Sequence, residues 1–326
     1  MKKKSYPNSV TIETTLRCNL RCIHCISSIR RQNINADMPP DMLKKIWPLV
    51  EQAEYLSLSN QGEFFCTKNY LAIFRSLRDM GKKISVATNG SLIDDKIIEE
   101  VIFAGLEFVY LSLDGVDKAT HESFRTGSDF KKLMAIIRNL CERKKESGHT
   151  VPHIGLLFVA RRGNIEQLPA FVDMANQLGI DTLDVLHLFV FDRKQEQESL
   201  YHHQELSDRC FLEARERNRN SSLDLRLPGL FFEDAKHGHK RFRKCMFLQD
   251  TVIIGAQGEV FPCCDWRMQI GDLREESFDE IWNSERYRRL RKTANSRNPQ
   301  EICANCAYPS IANVSNPATH FFWELP

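Results

Sequence analysis

Val10-Thr11-Ile12-Glu13-Thr14-Thr15-Leu16-Arg17-Cys18-Asn19-Leu20-Arg21-Cys22-Ile23-His24-Cys25 decides how the chain is read. The β-branched run Val10 to Thr14 predicts a strand, and three cysteines sit on the loop that leaves it. Their C-x3-C-x2-C spacing supplies three thiolates. A structural zinc site or a purely electron-carrying four-iron cluster normally closes with four ligands. Three thiolates on such a cluster leave one iron open to a second molecule. A zinc loop completed by His24 or by a distant thiol is the alternative reading.

Outward from this stretch, strand and helix alternate. Further strands are expected at Tyr55–Leu58, Ile84–Ala87, Phe108–Leu111, Ile154–Val159 and Leu183–Leu188. The helices between them read as Met42–Ala53, entered through Pro39-Pro40-Asp41, and Tyr70–Met80, closed by Gly81. Asp95–Ala104, stopped at Gly105, and Phe130–Lys145 follow. Asn164 and Gln167 have the spacing of a capping box for the next helix. Six such units predict a parallel sheet with helices outside, as an open doubly wound sheet or as a barrel. Beyond Phe191 the pattern changes. Arg193–Asn220 is charged and helical, and Leu223–Pro228 reads as a short strand. Val252–Ile254 and Glu259–Phe261 flank a Gly-rich turn as a hairpin. Ser277 and Glu280 form a capping box opening an amphipathic helix with Phe278, Ile281, Trp282 and Leu290 inward.

With 326 residues the chain can bury a large core, and one large plus one small domain is the natural expectation. A net charge of +2 argues against a general nucleic-acid binder. No apolar run reaches membrane-spanning length, and Met1–Pro7 lacks the apolar segment of a secretory signal, so a cytoplasmic protein is expected. Eleven cysteines then point to metal rather than disulfides. Three lie in the first loop and five between Cys245 and Cys306. Cys66, Cys141 and Cys210 are scattered.

The first loop, together with segments at the later strand ends, resembles the radical S-adenosylmethionine (radical SAM) superfamily. That resemblance implies a partial (β/α)6 TIM-like barrel with its chemistry at the C-terminal strand ends. It implies that Cys18, Cys22 and Cys25 hold a [4Fe-4S] cluster whose open iron takes the amino and carboxylate groups of SAM. His24 stands where the family usually has an aromatic residue against adenine. Gln61-Gly62-Glu63 is similar to the Gly-Gly-Glu motif that meets the SAM amino group, with Gln61 in place of the first Gly. Asn89 of Thr88-Asn89-Gly90, and Ser112 and Asp114 of Ser112-Leu113-Asp114-Gly115, match segments that reach ribose and the methionine carboxylate. Arg125 stands where an Arg often meets that carboxylate; a helix salt bridge is the bland alternative. His187, near the end of strand six, is a minor candidate beside its reading as a core residue.

Cys245, Gly258-x4-Cys263 and Cys303-Ala304-Asn305-Cys306 resemble the SPASM/twitch extension of that superfamily, which holds auxiliary iron–sulfur clusters. The intervening cysteine run of the full seven-cysteine pattern is missing, as in the shorter twitch version. The resemblance implies one auxiliary [4Fe-4S] cluster on Cys245, Cys263, Cys303 and Cys306, with Cys264 able to replace Cys263. A four-cysteine zinc ribbon is the alternative. The expected domains are a barrel over 1–190, a helical linker over 191–244, and the auxiliary domain over 245–326. Cations at Lys236–Lys244 and Arg286–Lys292 suit an acidic flavodoxin or ferredoxin as electron donor, an anionic substrate, or simply solvent.

The resemblance implies a 5′-deoxyadenosyl radical that takes hydrogen from a substrate carbon. The leading expectation is two-electron oxidation of a small-molecule alcohol in natural-product or sugar metabolism. Epimerisation with a cysteine hydrogen donor is a rival, with Cys66 and Cys264 the candidate donors. Modification of a ribosomally made peptide is another, set back by the seventeen residues before Cys18, too few for a recognition domain. A non-catalytic metal scaffold is the alternative from a different class. Glu205, Asp192, Asp265 and Glu233 are possible bases that no spacing singles out.

Overall fold

The computed structural model describes residues 6–29, 36–233, 245–265, 267–304 and 306. Its strands are β1 (Ser9–Ile12), β2 (Tyr55–Ser57), β3 (Lys83–Thr88), β4 (Leu106–Ser112), β5 (His153–Ala160), β6 (Thr182–His187), β7 (Asp224–Arg226), β8 (Thr251–Ile254), β9 (Glu259–Phe261) and β10 (Gly271–Asp272). They form one sheet in the order β10-β9-β8-β1-β2-β3-β4-β5-β6-β7. The pairs from β1 to β7 are all parallel. This is the partial barrel expected, with its wall continued by the C-terminal strands.

Four strands extend the sheet beyond the six of the expected barrel, β7 at one edge and β8, β9 and β10 at the other. The helix Gln204–Arg217 returns the chain so that β7 lies parallel beside β6. The segment read as a helical linker therefore also supplies a seventh parallel strand. At the other edge β8 pairs in parallel with β1, from Ser9 opposite Thr251 to Ile12 opposite Ile254. The expected hairpin β8–β9 is present and antiparallel, so the C-terminal region is fastened to the strand that carries the three-cysteine loop.

Alternation explains the core. Val10 and Ile12, Ile84 and Val86, Ile154, Leu156 and Phe158 all point inward and are fully buried. The helix Pro40–Gln52 lays Met42, Ile46, Leu49 and Val50 on the sheet, and Pro40 occupies its first turn, where a missing N–H is harmless.

Three local expectations are corrected. Asp95–Ile97 is α-helical, but Ile98–Phe103 widens into a π-helix. Asn164 does not cap a helix through Gln167. Its Oδ1 accepts the Arg161 amide, and its Nδ2 donates to the carbonyls of Asp114 and Val159. Competing backbone partners around a buried loop draw the side chain away from the capping position. The Ser277–Glu280 capping box does form, but Phe278–Asn283 and Glu285–Thr293 are two helices. Ser284 ends the first and caps the second by accepting the Tyr287 amide at 3.1 Å. The basic run Lys236–Lys244 lies outside the described residues.

Candidate active site

The loop after β1 is locked in place by the backbone. Arg21 and Ile23 donate amides to the carbonyls of Thr126 and Phe124, at 2.9 and 3.1 Å. Arg21 also donates its guanidinium to the carbonyls of Cys18 and Leu20. The three thiols therefore stand beside the helix Lys118–Phe124 and the Arg125 that ends it. Burial pushes the Cys22 thiol up to about 11, while Arg125 pulls it down; burial also raises Cys18. A metal must displace those thiol protons, and the neighbouring guanidinium favours the charged form.

Arg125 is not the helix salt bridge that the sequence left open. Its Nε donates to Asp114 Oδ2 at 2.5 Å, and Asp114 is fully buried. The other Asp114 oxygen accepts the Val159 amide at 2.7 Å, and the Asp114 amide donates to His121 Nδ1. Asp114 thus fixes Arg125 across the ends of β4 and β5. Burial pulls Arg125 down, but the Asp114 and Cys22 charges outweigh it and leave the pKa raised.

His24 lies flat on Phe124, with ring centroids 4.2 Å apart and planes 19° from parallel. Arg161 covers the Phe124 ring at 4.0 Å, completing a three-layer stack. Burial, then the Arg125 charge, push His24 down to about 3, so the imidazole is neutral. Its Nδ1 is buried with no hydrogen-bond partner among the described residues. A flat neutral ring with an unmet polar atom is the surface a purine base would complete.

The β2 and β3 ends are joined through Glu63. Its carboxylate accepts the Thr88 hydroxyl at 2.7 Å and the Asn89 amide at 2.9 Å. Burial raises Glu63, while those two donors hold it down. Oε1 also accepts the Phe65 amide at 3.5 Å, whereas Oε2 retains a lone pair for a further donor such as an ammonium. Gly62 is required by space: a Cβ there would lie 2.0 Å from the Thr15 carbonyl oxygen. Asn89 Nδ2 donates to Asn19 Oδ1 at 3.1 Å and stands 3.8 Å from Cys18 Sγ. Cys66 Sγ is 3.8 Å from the same Asn19 oxygen, so this candidate donor lies at the rim of the cysteine loop. Ser112 ends β4, half-buried. Cys141 and Cys210 are buried in the core as small apolar fillers. His187 packs against Phe211 and Phe231.

Sequence reasoning quoted Thr88 only as part of its motif and gave no role to Asn19, Phe124, Arg161 or Glu13. Asn19 lay inside the cysteine loop and Phe124 directly precedes Arg125, whereas Arg161, just past β5, carried no signal of its own. Glu13 is 4% exposed at the end of β1, yet it bonds the Gln61 amide at 2.9 Å and the Ala256 amide at 3.3 Å.

In the C-terminal region Cys263 is half-buried against the core, Cys303 is buried and Cys264 is exposed as a whole residue. Burial of its sulfur end nevertheless raises the Cys264 thiol to about 12, and the nearby Cys306 and Cys245 add to it; Cys306 also acts on Cys263. Cys245, Cys263, Cys264 and Cys306 therefore share one neighbourhood. Asn295 clamps Cys245 from both sides, accepting its amide and donating to its carbonyl, both at 2.8 Å. Among the described residues no three ligating side chains converge as a single metal ion requires. A cubane instead spreads its thiolates over separate irons, and both cysteine sets have the donor chemistry for that. Among the described residues no helix is long and apolar enough to cross a membrane.

Comparison with known proteins agrees with this layout. Residues 12–162 match the family model of the radical SAM superfamily, and residues 245–307 that of the SPASM iron–sulfur cluster-binding domain. The AdoMet-dependent heme synthase of Methanosarcina barkeri (strain Fusaro / DSM 804) is 25% identical over 94% of this chain and 90% of its own length. The PqqA peptide cyclase of Xanthomonas campestris pv. campestris (strain 8004) is 26% identical over 92% of this chain and 79% of its own. Streptococcus suis SuiB bound to S-adenosylmethionine superposes with a TM-score of 0.68 at 16% identity, covering 89% of this chain and 68% of that one. The last likeness bears on the fold. With the three-thiol loop, the strand-end motifs and the second cysteine set, the chain belongs to the radical SAM superfamily and carries a C-terminal SPASM domain.

Proposed function

We propose that the protein carries out radical modification of a ribosomally made peptide. Bound SAM and its [4Fe-4S] cluster supply a 5′-deoxyadenosyl radical, and an auxiliary cluster supplies an acceptor for the substrate's surplus electron. In this reading Cys18, Cys22 and Cys25 hold three irons of the first cluster. Glu63 orients the SAM ammonium, Arg125, fixed by Asp114, its carboxylate, and the His24–Phe124 stack its adenine. Asn89 and Ser112 lie at the strand ends facing the ribose. Cys245, Cys263, Cys303 and Cys306 hold the auxiliary cluster, and a flavodoxin or ferredoxin supplies the reducing electron. The peptide would lose one hydrogen atom to the SAM-derived radical, then one electron to the auxiliary cluster and one proton to solvent, leaving a product lighter by two hydrogens.

The observation that carries this reading is the alignment with a peptide cyclase along 92% of the chain. Exposed apolar side chains also flank both cysteine sets: Ile23 inside the first loop and Met246 beside Cys245. They suit the apolar side chains of a peptide better than a polar alcohol. The dehydrogenation of a small alcohol draws less support from these relatives. A heme-related substrate is the second reading, favoured by the alignment with a heme synthase over 94% of the chain.

The test is 5′-deoxyadenosine release and product mass with candidate peptides, iron porphyrins and small alcohols, in deuterium oxide. Peptide-stimulated release with a two-hydrogen loss supports the proposal. Stimulation by porphyrins or alcohols alone contradicts it. Deuterium entering at an inverted carbon would instead favour a cysteine-donor epimerase.

A further inference from the structure

The helix Glu285–Thr293 holds two buried polar atoms that the fold leaves unmet. Among the described residues, neither the Tyr287 hydroxyl nor Arg291 Nη2, both buried, has a hydrogen-bond partner of good geometry. The two are neighbours, with Arg291 placed to donate to the Tyr287 oxygen off ideal hydrogen-bond geometry, so the hydroxyl proton itself still has no acceptor among the described residues. Tyr287 is fully buried, with its ring edge-on to Trp282 at 4.8 Å. Arg291 lies over both rings, 3.8 Å from Trp282 and 3.9 Å from Tyr287. Its Nε and Nη1 donate to the carbonyls of Leu248 and Trp282, both at 3.0 Å. The guanidinium is thereby held in place, and it ties the turn after Cys245 to this helix.

Tyr287 also stands within electrostatic reach of Cys263 and Cys245. An unmet hydroxyl in a dry site forfeits its hydration with nothing in return, so such a group calls for a partner. The partner these neighbours point to is the sulfur of the cluster that Cys263 and Cys245 are proposed to hold. Sulfur in a thiolate-ligated cluster is electron-rich and accepts hydrogen bonds, and such bonds raise the reduction potential.

We propose that Tyr287, positioned by Trp282 and Arg291, is the hydrogen-bond donor that raises the potential of the auxiliary cluster. Tyr287 is not among the proposed ligands of either cluster. It would make the auxiliary cluster a better electron acceptor and leave SAM cleavage at the first cluster unchanged. The inference rests on the auxiliary-cluster reading, and the experiment separates the two.

The experiment is a redox titration followed by electron paramagnetic resonance, on the full chain carrying Cys18/Cys22/Cys25→Ala, with and without Tyr287→Phe. About four irons in the parent of this pair establish the auxiliary cluster, whereas none would overturn that underlying reading. With the iron retained, Tyr287→Phe should move the midpoint potential downward, and an unchanged potential overturns the proposal. If Tyr287→Phe fails to hold iron, site-specific 3-fluorotyrosine at position 287 decides. Its more acidic hydroxyl should move the potential upward, and no movement overturns the proposal. In the enzyme with both clusters, substrate-free 5′-deoxyadenosine release should be unaltered by Tyr287→Phe.

Discussion

The Glu13 carboxylate accepts a hydrogen bond from the amide of Ala256, 243 residues further along the chain. Its other oxygen accepts the Gln61 amide, next to Gly62 and Glu63. One buried side chain thus joins the end of β1, the Gln61-Gly62-Glu63 loop and the turn between β8 and β9. The radical SAM site and the SPASM region share this joint.

The joint should make stability depend on pH. Burial lifts Glu13 from its ordinary 4.5 to about 7, against the pull of the two amides and with Glu259 adding to the rise. The native state then takes up a proton near neutrality that the unfolded chain takes up only near 4.5. The site's contribution is therefore full below about pH 4.5 and is lost as pH rises through about 7, a swing of about 3 kcal/mol. Urea unfolding between about pH 5.5 and 8 should show this slope in the parent and a flatter one in Glu13→Gln. Equal slopes would contradict it.

Gly62→Ala should be costly because the added carbon meets backbone, not a movable side chain. Urea unfolding should register a loss of about 3 kcal/mol. SAM affinity, measured by equilibrium dialysis, should fall as Glu63 shifts with the loop. A variant with parental stability and affinity would mean that the Thr15 carbonyl moves aside freely.

The Asp114–Arg125 pair should behave as a buried pair does. Arg125→Met strands the Asp114 carboxylate and should destabilise by about 3–5 kcal/mol. The double variant Asp114→Asn/Arg125→Met should recover a large part of that loss, since the side-chain carbonyl introduced at position 114 can still accept the Val159 amide. Chemical denaturation of the four forms measures the coupling, and simple additivity would refute it.

The C-terminal ligand set can be sorted by iron content. Cys263→Ala should lose about half of the bound iron, and Cys264→Ala should retain it. Asn295→Ala leaves every thiol in place but frees the Cys245 backbone, and should lower auxiliary occupancy alone. The reverse order for Cys263 and Cys264 would reassign the ligand.

Much of this fold was legible because a parallel barrel writes itself into the chain locally. Each strand is a short apolar run and each helix has its own start and stop, as at Pro40 and Gly81. The three-cysteine loop was equally plain, since its ligands lie within eight consecutive residues. What escaped depends on contacts between distant segments. Nothing near Leu223–Pro228 announces that β7 pairs with β6, and nothing near Thr251 announces its register with Ser9. The Asn164 side chain obeys the carbonyl of Asp114, fifty residues away, rather than its own helix. Glu13, in the middle of an apolar strand end, gave no sign of its two amide partners.

The most direct test of the whole account is iron and zinc per chain after anaerobic reconstitution, in the parent and in Cys18/Cys22/Cys25→Ala. The account predicts about eight irons falling to about four, with no zinc and with 5′-deoxyadenosine formation abolished in the variant. About four irons in the parent, with Cys245, Cys263, Cys303 and Cys306 empty or holding zinc, would contradict it. The electron acceptor for peptide oxidation would then be missing, and redox-neutral chemistry would have to replace it.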